Sequence, residues 1–413
     1  MIRKQAKLTQ HELAIGIISV SHLSNLEANR YKASSETIKL LSKRLNVNLQ
    51  YLNNYSKNNN LLENKILDLK RAIILNPVNA KQIIQGIELP IENLELEINY
   101  YLLRASYFYK LNQFEEALEI NRNFIYYYIS FLQESLDSLP KLLKESTLYY
   151  FGMKNYRENN LLESNICFKK LLELTNEDNL KSNLLYNIAL INHNHSNRLE
   201  AFENANKALN LYIDLQHWDK IGELYNFLGV IYREASLIDS ALLYFEKALN
   251  IAVQMNFKKV EERIHHNKGL VLEDLGDFEN AVKSFRLSYN LKKRSNSNLF
   301  ITVSCLIRCY IKNNNISLAK QLTKESLSMI ENQKQYHILK ALEAEIHYIE
   351  NDYELFIEKM TQSISYFEKH HFIKEVSGLS SKVANFYISK KKYKSAALYY
   401  KKELQIKNKL KKG

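Results

Sequence analysis

Residues 223–252 read ELYNFLGVIYREASLIDSALLYFEKALNIA. Gly229 in one helical run precedes Ala241 in the next by 12 positions, and Tyr225, Leu228, Tyr232 and Phe245 surround that pair, with Ala248 closing the next contact. Two antiparallel helices approach closely only where side chains are small, and large apolar residues fill the gaps around the contact. The same 12-residue pairing recurs as Ala105/Ala117, Gly152/Ser164, Ala189/Ala201, Gly269/Ala281, Ile307/Ala319, Ala344/Phe356 and Ala384/Ala396. Of the 16 positions, 14 are small, and successive pairs are spaced by 47, 37, 40, 40, 38, 37 and 40 residues. A period of this length predicts an all-α solenoid of stacked helix pairs. Residues 61–90 read as one more, degenerate pair.

The pattern resembles the tetratricopeptide repeat, a right-handed solenoid whose common unit is about 34 residues, so units near 40 imply longer helices. Composition agrees with helix: 413 residues hold only 9 Gly and 3 Pro, too few for the turns of all-β or doubly wound folds. The apolar fraction of 46% excludes disorder, and three Cys make no disulfide framework. The N-terminus MIRKQAKLTQ has no apolar signal core and no apolar run reaches membrane-spanning length, so the expectation is a cytoplasmic protein without a membrane partner.

No phosphate loop, nucleophile elbow or zinc motif occurs, which predicts a non-enzyme without metal or cofactor. Cys305 and Cys309 are expected as core filler, and Trp218 as packing ahead of a helix. The pairs His265-His266 and His370-His371 point apart on a helix, and His193 and His195 are expected between two helices. The formal net charge is +12, and residues 1–52 carry +5 of it, with eight basic and three acidic side chains. That segment is several times more basic per residue than the remainder, as attraction to phosphate requires.

Within residues 1–52, Thr9 and Glu12 form a capping box opening a short helix with Leu13, Ala14 and Ile17 on one face. A break near Ile17–Ile18 leads to Ser19 as N-cap of a second helix, with Leu23 and Leu26 inward and Val20, Ser21, His22 and Asn25 outward. Ser34 or Ser35 caps a third helix carrying Ile38, Leu41 and Leu45. Three short helices in so few residues predict a helix-turn-helix DNA-binding domain over 1–52, in which the second helix enters the major groove. Residues 53–60 (NNYSKNNN) read as a linker, and 61–413 as the repeat domain, expected to supply the dimer interface.

The stretch TQHELAIGIISVSHLSNLEANRYKASSETIKLLSKRLNV, residues 9–47, resembles the Xre-type helix-turn-helix of Cro and the phage repressors. It departs from them in its short first helix, where only Ile2, Ala6 and Leu8 remain to cover the core, and in Ala33 where the family often has Pro. The resemblance implies that Gln10 meets a phosphate and that Val20, Ser21, His22 and Asn25 face base edges. Asn25 is the best direct reader, because its amide can bond bidentately to adenine, while Ser21 and Arg30 suit the backbone.

An Xre-type domain followed by such repeats resembles the peptide-pheromone-responsive regulators of the PlcR/NprR group. The resemblance implies a homodimeric transcription factor that binds double-stranded DNA and is switched by a short signalling peptide on the concave face. Family pattern and helical geometry place Asn187, Asn226, Arg233, His266, Asn267, Arg308 and Asn385 there. An Asn amide both donates and accepts, so it can pair with an extended peptide backbone, and Arg233 and Arg308 can take a carboxylate. Two alternatives share the architecture: a module that sequesters a phosphorelay or other regulatory protein, and a phage lysis–lysogeny regulator.

Overall fold

Helix is the only regular structure among the described residues. The protein, seen as a computed structural model, is described at residues 2–27, 30, 32–47, 49, 60–89, 91, 93–295 and 297–410. Residues 53–59 of the expected linker lie outside these, and Asn60 already begins a helix. The chain forms two compact units, residues 1–216 and 217–413.

The first unit opens with α1 (Ile2–Gln5), α2 (Gln10–Ala14), α3 (Val20–Glu27) and α4 (Ser35–Leu45). The Thr9–Glu12 capping box is present in both directions: Glu12 N–H donates to Thr9 Oγ1 at 3.1 Å and Thr9 N–H to the Glu12 carboxylate at 2.6 Å. Leu13, Ala14, Leu23 and Leu41 form the buried core of this part. Helix α2 stops sooner than its apolar pattern implied, because Gly16 takes a left-handed φ of +73°. Ile17 therefore packs on the core from a turn rather than from a helix face.

Helices α5 (Asn60–Leu75) and α6 (Pro77–Gln85) make the degenerate pair read at 61–90. Then come α7 (Leu94–Lys110) and α8 (Phe114–Asn123), followed by α10 (Lys141–Arg157) with α11 (Leu161–Leu174) and α12 (Asp178–Asn194) with α13 (Arg198–Asp214). Between α8 and α10 an insertion holds a short helix, α9 (Ile129–Glu134), flanked by single 3-10 turns at Ile125–Tyr127 and Leu136–Ser138. It buries Ile125 and Leu132 and accounts for the 47-residue spacing at that point. A buried ion pair, Lys70 to Glu145 at 2.5 Å, ties α5 to α10.

The second unit runs α14 (Trp218–Glu234), α15 (Ile238–Gln254), α16 (Lys258–Asp274), α17 (Phe278–Arg294), α18 (Phe300–Lys312), α19 (Ile316–Ser326), α20 (Gln333–Ile349), α21 (Tyr353–Lys369), α22 (Ile373–Ser389) and α23 (Tyr393–Leu410). Most of these helices have 17 residues, as the long repeat period required. In both units the small-residue positions are buried, Ile307 and Phe356 included. The contacts are close: Ser164 Oγ donates to the Gly152 carbonyl at 2.8 Å. A Cβ on Gly152, Gly229 or Gly269 would lie 2.9, 2.6 or 2.7 Å from the ring of Phe168, Phe245 or Phe285.

Two expectations are corrected. Trp218 lies within the first turn of α14, not ahead of it, and is 43% exposed. His193 belongs to the last turn of α12 and His195 caps that helix, so neither stands free between helices. Cys305 and Cys309 are buried, as filler would be.

Candidate functional site

Two side-chain arrays carry candidate chemistry. In the first unit, Ser19 Oγ accepts from His22 N–H at 3.1 Å and so starts α3 one residue before the exposed Val20, Ser21 and His22. Asn25 lies one turn further on, half-buried, and its Oδ1 accepts from Arg30 Nη1 at 3.5 Å. Arg30 is exposed.

Gln10 differs from the sequence reading. Its amide donates to the Glu27 carboxylate at 2.7 Å, and Arg3 grips the same carboxylate with Nε at 2.7 Å and Nη2 at 3.0 Å. Burial alone would raise the Glu27 carboxyl, but the bonds from Arg3 and Gln10 outweigh it and hold it below its ordinary value. The charge on Arg3 and Glu27 thus fastens α1 and α2 to α3, which is how so short a first helix is held in place. Arg44 completes the clamp by donating to the carbonyls of Leu13, at 3.3 Å, and Ile15, at the end of α2.

In the second unit the first helices of successive pairs are joined side by side. Asn267 Nδ2 donates to Asn226 Oδ1 at 2.9 Å, so these two candidates are brought together. Arg233 Nε donates to Asp274 at 2.6 Å, and Arg308 grips Glu273 through two nitrogens. Arg263 donates to Glu223 at 3.0 Å. The two arginines expected to take a peptide carboxylate are therefore already paired with carboxylates of the protein. The acidic partners went unnoticed in the sequence, although a signal existed: Glu223 and Arg263, like Arg233 and Asp274, are opposite charges one repeat apart.

His266 is held in a cationic setting. Lys292 Nζ donates to Thr302 Oγ1 at 2.8 Å, and the same hydroxyl is hydrogen-bonded with His266 Nδ1 at 3.1 Å. Burial, then the charges of Lys292, Arg233 and Arg308, push the imidazole down to about 4, so it is neutral near pH 7. Asn385, on α22, accepts from Tyr400 Oη at 2.6 Å and stands apart from this cluster. Asn187, on α12 of the first unit, is half-buried. Among the described residues no group of three or more His, Cys, Asp or Glu side chains could hold a metal ion, and no helix is long and apolar enough to cross a membrane.

The helix-turn-helix family profile matches residues 1–52, and the tetratricopeptide-repeat profile matches residues 222–252 and 262–294. Transcriptional activator NprA of Geobacillus stearothermophilus is 24% identical over 423 residues, which cover 95% of this chain and 98% of NprA. The apo form of the quorum sensor NprR from B. thuringiensis is similar in structure, with a TM-score of 0.70 and 17% identity over 84% of this chain and 98% of NprR. NprR in complex with its cognate peptide NprX gives a TM-score of 0.59 and 18% identity over 85% of this chain and 99% of that one. The likeness to the two solved structures is one of fold: an all-α array of helix pairs.

Proposed function

We propose that this chain, a member of the PlcR/NprR group of helix-turn-helix regulators with tetratricopeptide repeats, is a transcription regulator whose binding to double-stranded DNA is set by a short signalling peptide. The observation that carries the reading is the capped α3, which exposes Val20, Ser21 and His22 on a basic three-helix core in the same chain as an amide- and charge-lined repeat face. Val20, Ser21, His22 and Asn25 meet base edges, and Arg30 meets the phosphates. Gln10 reaches a phosphate only while keeping, or exchanging, its bond to Glu27.

In the second unit the peptide lies along the face of Asn226, Asn267, Arg233, His266 and Arg308, where paired amides open to take its backbone. At about 3.3 Å per residue, five to ten residues span several helices. A single helix-turn-helix reads too few bases for specificity, so the working form is a homodimer on a palindromic site, acting in the cytoplasm. The activity that follows is binding, not catalysis.

Fluorescence anisotropy of the full chain on its own upstream DNA tests this, with and without a synthetic peptide from the neighbouring reading frame. Salt-sensitive binding that changes at least tenfold with peptide is expected. DNA binding absent at every salt concentration would sink the proposal.

A further inference from the structure

The junction between α19 and α20 departs from the α15–α16 and α17–α18 junctions in three ways. Helix α19 has 11 residues, against 17 in the equivalent α15, α17 and α21, and its chain leaves through a 3-10 turn at Leu327–Met329. Thr323 stands four residues after the small Ala319, where the corresponding position after Ala241 and Ala281 is Phe245 and Phe285. A short helix and a Thr for a Phe leave space unfilled, and a cavity of about 360 Å³ opens there. That size falls in the range of small-molecule sites.

Two helical stripes line it: Lys320, Thr323, Lys324 and Leu327 from α19 and its turn, and Tyr336, Leu339, Lys340, Glu343, Ile346 and His347 from α20. At the α15–α16 junction the space is closed by apolar Ala248, Ala252, Val260 and Ile264. Here Leu339 and Ile346 lie almost fully buried beneath the lining, Leu327 and Tyr336 expose apolar surface to it, and lysines occupy the mouth. Their charges are unequally spent. Lys320 is paired with Glu350, and Glu343, the cavity's own carboxylate, is neutralised by Lys359 at 3.0 Å. Lys340 lies only over the Tyr336 ring, 5.4 Å from its centroid, and Lys324 is exposed at the rim. The Thr323 hydroxyl is donated to the Ala319 carbonyl at 2.7 Å, so it offers nothing to a ligand beyond its methyl group.

We infer that this cavity binds a small amphipathic anion: an apolar body against Leu327 and Tyr336, with acidic oxygens between Lys324 and Lys340. It is separate from the peptide face and stands whether or not that face binds peptide.

The test is isothermal titration of the full chain with sodium decanoate, 1-decanol and inorganic phosphate at fixed ionic strength, below the micellar range. Decanoate should bind saturably at one per chain, with decanol and phosphate each at least tenfold weaker. Lys324→Gln with Lys340→Gln should weaken decanoate at least tenfold. Thr323→Phe, which restores the filling seen in the preceding pairs, should abolish binding. Absence of saturable decanoate binding, equal binding of decanol, or unchanged affinity in the double-Gln variant would overturn the inference. Preference for phosphate over decanoate would overturn it too. Lys324 is exposed and Lys340 half-buried with no carboxylate partner among the described residues, so that variant keeps the test decisive even if Thr323→Phe does not fold.

Discussion

The ring of Phe245 lies so close to Gly229 that a Cβ there would sit 2.6 Å from it. Phe245 is fully buried and has nowhere to move. Gly229→Ala would gain about 1 kcal/mol of helix propensity, but overpacking a dense core costs about 1–3 kcal/mol. The substitution is expected to lower stability, by up to about 2 kcal/mol, whereas Gly378→Ala, with nothing within 4 Å in α22, should raise it by about 0.5–1 kcal/mol. Urea unfolding of both variants checks the pair, and a stabilised Gly229→Ala would contradict the close packing.

His266 predicts a pH dependence. Its folded value is pushed down to about 4 from an ordinary 6.5. Between those values the unfolded chain takes up a proton that the folded chain refuses, so stability falls as pH drops from 6.5 towards 4. The contribution is on the order of 3 kcal/mol. In His266→Asn the pH profile of the unfolding midpoint should flatten across this window. A profile as steep as the parent's would remove His266 from the account.

Glu27 acts in a lower window and with a different origin. The bonds from Arg3 and Gln10 favour its charged form, so its contribution is present above the ordinary carboxylate value and is lost as pH falls below it. Glu27→Gln should weaken DNA affinity at pH 7 by loosening α1 and α2 against α3, without changing which bases are preferred. Altered base preference in a binding-site selection would instead make Glu27 a reader.

Asn25→Ala should cost about 1–3 kcal/mol of DNA affinity and relax one base position. The same selection experiment reads this, and a uniform loss across all sequences would assign Asn25 to the backbone.

Asp274→Asn releases Arg233 from its carboxylate partner. If Arg233 takes an acidic group of the peptide, this variant binds the neighbouring-frame peptide at least tenfold more tightly, and Arg233→Ala binds it more weakly. Unchanged titration curves for both would exclude Arg233 from the site.

The repeat register was legible because it is written as volume: a small residue every half-repeat is a steric demand, visible at Gly229 and Ala241 without any neighbour known. The Thr9–Glu12 box was legible because capping is local. What escaped is what depends on partners far along the chain. Glu273 and Asp274 look like solvated acids in a linear string, and only the stacking of α16 against α14 and α18 turns them into the partners of Arg233 and Arg308. The insertion around Leu132 escaped for another reason. Its helix is six residues long, too short to show a period.

The small-residue contacts, Gly–Phe in three pairs and Ser–Gly in one, lie between the two helices of a pair, while Asn226, Arg233 and Arg308 project elsewhere. The residues that close each pair and those that would choose a ligand are thus different sets. Exchanging one of the second kind changes recognition without breaking a contact inside a pair, although it removes a bond between successive pairs. A lineage built this way can follow a changing signal by drift on one face, substitution by substitution, with its scaffold intact throughout.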